Sequence, residues 1–135
     1  MARSEESTPP RSLVLDSGAV IGWARGDVRP RALLRRALEL GVDVRIPVAV
    51  IAETLRGDPR DAPIHRVRNA VDVFPTDERT GRLAGSLLGH TGGTNTVDAL
   101  VAAEAIAHGG DVLTSDVVDL KVLLTRHKAT IVLTL

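Results

Sequence analysis

Five short strand-like runs alternate along this chain with longer stretches of helical spacing. They are residues 13–15, 42–46, 71–74, 111–114 and 130–133. The runs are rich in Val, Leu and Ile and are separated by turn residues. Strands that are apolar towards both sides belong to sheets covered on both faces, and strand–helix alternation is the sequence form of a parallel sheet. Helices are expected near 17–25, 30–41, 47–56, 61–70, 77–88, 96–108 and 117–124. Pro30 suits a first helical turn and Gly41 a terminator. The fold class is therefore α/β.

At 135 residues the chain fits one domain. Residues 1–12 are polar with two prolines and no apolar core, so they read as a disordered tail before a domain at 13–135. No apolar run approaches the roughly 18 residues that span a bilayer. A cytoplasmic location is expected. The absence of Cys excludes disulfides and thiolate zinc sites. Trp23 and Phe74 are the only aromatic residues, which argues against recognition by base stacking.

Net charge is zero, but the charge is unevenly placed. Residues 25–68 carry ten Arg against six acids, whereas residues 95–119 carry five acids and no Lys or Arg. That split points to a basic shoulder beside an acidic pocket. Arg25, Arg29, Arg31, Arg35 and Arg36 are candidates for tracking phosphates, although a solvated helical face or an Arg-biased composition explains them as well. His65, His90, His108 and His127 show no paired spacing for a metal, and Gly92-Gly93 lacks the Lys of a phosphate loop.

Four acids stand at places where an α/β sheet builds sites: Asp16 after the first run, Glu53 after Val48-Ala49-Val50-Ile51-Ala52, Asp98 at the head of a helix and Asp116 after the fourth run. Sites in open α/β sheets lie beyond the carboxyl ends of strands where strand order reverses. If the first and fourth strands are neighbours, Asp16 and Asp116 come within reach of one cation. Clustered carboxylates raise one another's pKa, and a divalent metal relieves this. Singly, Asp98 and Asp116 also suit helix capping. Asp16 suits it less, because Ser17 can cap, and Glu53 is expected to point inward.

Leu15-Asp16-Ser17, the Pro47…Glu53 segment, Thr96-Val97-Asp98-Ala99-Leu100-Val101-Ala102-Ala103 and Thr114-Ser115-Asp116 occur in that order. In this ordered set the chain resembles the PIN-domain nucleases, and within them the VapC-type toxins of prokaryotic toxin–antitoxin modules. The resemblance covers nearly everything after residue 12. It implies a PIN-like three-layer sandwich with a five-stranded parallel sheet, and metal-dependent endoribonuclease activity with Mg²⁺ or Mn²⁺. The implied catalytic set is Asp16, Glu53, Asp98 and Asp116, with Asp16, Asp98 and Asp116 as metal ligands. Ser17 and Thr114 would support them, and Asp119 fits either an additional acid or a surface residue in a helical turn.

The resemblance also implies an RNA substrate, a cognate VapB-type antitoxin and a homodimer, for which Leu83, Ala84, Leu87 and Leu88 offer one surface. A PIN domain that binds without cutting is the alternative. A phosphoacceptor receiver domain fits poorly, since the third strand runs into Pro75 rather than an Asp.

Overall fold

The computed structural model describes residues 11–135, in which strand and helix alternate. β1 (Ser12–Leu15) leads into α1 (Ser17–Arg25) and α2 (Val28–Glu39). β2 (Asp43–Pro47) leads into α3 (Val48–Thr54), a 3₁₀ turn (Pro59–Asp61) and α4 (Ala62–Asn69). β3 (Asp72–Phe74) precedes α5 (Glu78–Thr91) and α6 (Thr96–Ala107). β4 (Asp111–Thr114), α7 (Val117–Leu123) and β5 (Val132–Thr134) follow. Of the expected tail, residues 1–10 lie outside the described residues. Arg11 and Ser12 already belong to the fold: Arg11 pairs with Asp111 at 2.7 Å, and Ser12 opens β1.

All strand pairings are parallel, in the order β3-β2-β1-β4-β5. The chain winds outward from β1 to β3, then returns to the other side of β1. The order reverses between β1 and β4, so the crevice beyond their carboxyl ends is where this topology places a site. Leu15 is in register with Leu113, and the Asp16 N–H donates to the Leu113 carbonyl at 3.2 Å. Asp16 and Thr114 therefore leave the sheet side by side.

β1 is buried throughout. Successive side chains point to opposite faces, so burial of Leu13, Val14 and Leu15 together means that both faces are covered. α6 packs on β1, β2 and β4. Its Ala99, Val101, Ala102, Ala103 and Ala105 are all buried, as expected of a helix that is apolar all round. The edge strands β3 and β5 are short and partly exposed. Gly110 lets β4 start against β1, because a Cβ there would meet the Ser12 backbone at 2.7 Å.

α5 runs three residues beyond its expected end at Leu88. Gly81, Gly85 and Gly89 make it a poor helix on propensity alone. Ala84 and Leu87 are buried and the helix packs along α6, so tertiary contact carries it to Thr91. These two residues are therefore taken up by the core and do not form the surface considered for a second copy.

Candidate functional site

Asp16 follows β1 at the point where strand order reverses, and it is only 5% exposed. Its backbone is extended, and Oδ1 accepts the Ala19 N–H at 2.9 Å, so Asp16 caps α1. Ser17, the cap expected from residue type, is instead the first helical residue. Capping requires the last non-helical residue, and the strand end makes that residue Asp16. The other carboxylate oxygen of Asp16 accepts the Thr114 hydroxyl from the neighbouring strand. Thr114 Oγ1 in turn accepts the Asp116 N–H at 2.7 Å. One buried hydroxyl thus ties the ends of β1 and β4 and fixes two acids at once.

Gly18 allows this close packing, since a Cβ there would run into the Ser115 side chain. Burial pushes the Asp16 carboxyl above its ordinary range. The hydrogen bonds from Thr114 and Ala19 pull it back, and the charges of Asp116 and Glu53 raise it further.

Asn95 caps α6: its Oδ1 accepts the Asp98 N–H at 3.0 Å. That places Asp98 in the first turn of the helix that crosses the sheet. Asp98 Oδ2 is buried and has no hydrogen-bond partner among the described residues. The Asp98 carboxyl is pushed up to about 6, first by burial and then by Asp116, Asp16, Asp119 and Glu53. Asp116 is also raised, by burial and then by Asp119.

Asp98, Asp116 and Asp119 each offer a carboxylate oxygen, and the three oxygens lie within 4.8 Å of one another. Among the described residues no Lys, Arg or His forms an ion pair with any of the three. Asp119 therefore belongs to the tightest group, one turn along α7 from Asp116. Asp16 lies beside the group, joined to it through Thr114. Glu53 does not point inward: it is exposed near the end of α3 and influences the cleft only through its charge. Five small residues before it led to the opposite expectation, but α3 is short and turns that side to solvent.

The arginines expected to track phosphates are exposed, but not all of them are free or close. Arg25 is paired with Asp27 at 2.6 Å. Arg36 lines a cavity with Ser12, Leu13 and Asp111, at the amino ends of β1 and β4. That is the end of the sheet opposite to Asp16 and Thr114, roughly 10 Å away along the strands.

Three carboxylates, one of which carries an unpartnered oxygen, with no ion pair to a base among the described residues, make an oxygen donor set that fits a hard divalent ion such as Mg²⁺ or Mn²⁺. The arrangement can hold such an ion at the mouth of the crevice, with Asp16 and Glu53 contributing charge from two sides.

The whole fold has counterparts among solved structures. VapBC2 from Rickettsia felis, bound to a DNA fragment from its promoter, superposes with a TM-score of 0.74 at 14% identity, over 91% of this chain and 98% of the other. DNA-bound VapBC from Salmonella typhimurium gives 0.68 at 16% identity, over 92% and 98%. FitAcB from Neisseria gonorrhoeae gives 0.61 at 20% identity, over 90% and 96%. At these identities the likeness is one of fold. No curated protein gives a significant match. The sequence itself matches the PIN domain over residues 13–121. That span holds the sheet's switch point and all five acids of the cleft, and on it the chain belongs to the PIN domain family.

Proposed function

We propose that this chain is a VapC-type toxin: an endoribonuclease that hydrolyses RNA phosphodiesters with Mg²⁺ or Mn²⁺ at the Asp98–Asp116–Asp119 group. The observation that carries this reading is the group itself, three carboxylates with an oxygen each within 4.8 Å of the others and no ion pair to a base among the described residues, at the carboxyl end of a parallel sheet. Unbalanced acids are poor binders of a polyanion unless a cation stands between them and it.

Asp98, Asp116 and Asp119 would hold the cation, with Asp16 completing the acidic wall behind them. A bound divalent ion lowers the pKa of water and offsets charge on the leaving oxygen. Thr114 keeps Asp16 and Asp116 at fixed separation, so the wall does not reorganise when substrate arrives. Asn95 holds the head of α6 and with it the direction of Asp98. Glu53, exposed near the end of α3, would add negative charge at the rim of the cleft and hold metal-bound water there. In-line attack would leave a 5′-phosphate and a 3′-hydroxyl.

A further structure of the same fold, from Klebsiella pneumoniae (TM-score 0.66, 16% identity), is described as a toxin–antitoxin complex, which supports a VapB-type antitoxin as the partner that silences the cleft. A homodimer and a cytoplasmic location belong to the same reading. No helix among the described residues is long and apolar enough to cross a membrane.

The test is cleavage of total cellular RNA by the purified chain with Mg²⁺, with Mn²⁺ or with EDTA, alongside Asp98→Asn. Metal-dependent cleavage that the substitution abolishes is expected. Metal binding by calorimetry without any cleavage would overturn the nuclease in favour of a binding-only domain.

A further inference from the structure

Two cavities adjoin along the seam between α5 and α7, and they share Thr91, Val122 and Leu123 as a common wall. The first, of about 210 Å³, opens directly from the acid group and is lined by Asp98, Asp119, Thr94 and Asn95. The second, of about 250 Å³, lies further along the seam and is lined by His90, Thr125, Arg126 and His127. Taken together as one trough, the two adjoining cavities have carboxylates at one end and a guanidinium and two imidazoles at the other.

The charge along this trough changes sign with distance from the acids. At the acid end a phosphate is tolerated only across a cation. At the far end a phosphate meets donors directly: the Arg126 fork, and ring N–H groups of His90 and His127. Among the described residues no carboxylate pairs with any of these three side chains. The middle of the trough has the Val122 and Leu123 side chains on one wall and Thr91 and Thr94 on the other, with no aromatic ring. Such a wall takes the edge and face of a base through apolar contact and hydroxyl hydrogen bonds, without stacking.

We infer that this seam is the track of the RNA strand: the nucleotide beside the cleaved bond sits against Thr91, Thr94 and Leu123, and a neighbouring phosphate is held by Arg126 with His90 and His127. This rests on the nuclease reading for the position of the cleaved bond. It moves the phosphate contacts from the arginines of α1 and α2, which the sequence had singled out, to α5 and the segment after α7. No local pattern marks them, because His90 is distant in the chain from Arg126 and His127 and the adjacent pair carries no motif. The extension of α5 to Thr91 is what brings His90 to the seam.

The experiment is fluorescence anisotropy of a labelled eight-nucleotide single-stranded RNA. It compares the Asp98→Asn chain with the same chain carrying Arg126→Gln, His127→Gln or Arg36→Gln, at several salt concentrations. Arg126 and Arg36 are exposed, so both variants should keep the wild-type melting temperature. Loss of one phosphate contact lowers the single-strand salt slope by about 0.7, which is about a fivefold loss of affinity near 0.1 M salt. That loss is expected for Arg126→Gln, a smaller one for His127→Gln, and none for Arg36→Gln. Equal affinities for all variants, or a loss confined to Arg36→Gln, would overturn the track. So would an Arg126→Gln effect on binding of a purified antitoxin with RNA binding unchanged. Wild-type chain assayed in parallel for metal-dependent cleavage separates the two readings. Binding through Arg126 without cleavage keeps the track and removes the nuclease, whereas cleavage with a silent Arg126 does the reverse.

Discussion

Arg45 and Asp98 are both charged side chains drawn out of solvent, one in β2 and the other at the head of α6. Each has one buried polar atom without a hydrogen-bond partner among the described residues, Arg45 Nε and Asp98 Oδ2, but the charges around them differ. The Arg45 guanidinium meets Asp43 at 2.9 Å and Glu104 at 3.5 Å, contacts the His108 ring at 3.3 Å, and lies 3.8 Å from the centre of the Phe74 ring. Glu104 is further held by His108 at 3.0 Å. Asp98 meets only other acids, and one of its oxygens has no partner. Charges in the first cluster answer one another and hold β2 to α6. Charges in the second are left for something from outside. A buried ion network is a structural feature when its signs alternate and a binding feature when they do not.

The largest expected effect breaks the first region. Glu104→Ala combined with Asp43→Ala strands the Arg45 guanidinium inside the fold and should destabilise the protein by about 3–5 kcal/mol in urea melts. A loss below about 1 kcal/mol would show that solvent reaches Arg45 and that the cluster is not needed for the fold.

In the second region the same kind of change has the opposite sign. Unfolded, Asp98 titrates in the ordinary range near 3.8; folded, it titrates near 6. The folded state then binds the proton more tightly, so the contribution of Asp98 to metal-free stability is full in acid and is lost as pH rises from about 4 through 6. Divalent ion should reverse this at pH 7.5, adding about 2.7 kcal/mol at a hundredfold excess over Kd. Melting in EDTA and in Mg²⁺ at pH 5 and 7.5 checks both signs; a metal-free stability that rises through this window would contradict the cleft's charge balance.

Asp98→Asn sharpens the contrast further. It should lower metal-dependent cleavage by about a hundredfold or more, in line with the loss of one preorganised electrostatic contact. In EDTA at pH 7.5 it should stabilise the fold by about 1 kcal/mol, once solvent screening of a half-exposed group is allowed for. A variant that is both inactive and less stable in EDTA would instead place Asp98 in the framework.

The difference between the regions also explains what could be read in advance. The doubly covered parallel sheet was accessible because runs such as Leu13-Val14-Leu15 are apolar on both sides, whereas the strand order, which seats β4 beside β1, was not. Asp16, Asp98 and Asp116 stood out because each follows a strand or opens a helix. Asp119 did not, since an acid in a first helical turn is what the helix dipole favours anyway. Glu53 was misjudged because its apolar neighbours say nothing about which side of a short helix faces the sheet. The Arg45 cluster joins residues 43, 45, 74, 104 and 108, so no local pattern marks it. Only the sheet and α6 together bring it about.

Thr114 is the finest test, because it separates the hydroxyl from the space it fills. The side chain is fully buried, donates to Asp16 and accepts from the Asp116 N–H. Thr114→Val keeps the shape and removes both bonds, leaving a buried carboxylate oxygen and a backbone N–H unsatisfied, at about 1–3 kcal/mol. It should also loosen the spacing of Asp16 and Asp116 and weaken metal affinity measured by calorimetry by about tenfold, the usual cost of losing an outer partner of a ligand. Thr114→Ser keeps both bonds and loses one methyl, about 1 kcal/mol of stability, with metal affinity unchanged. If Ser and Val weakened metal binding equally, the methyl's packing rather than the hydroxyl would be what holds the two acids in place.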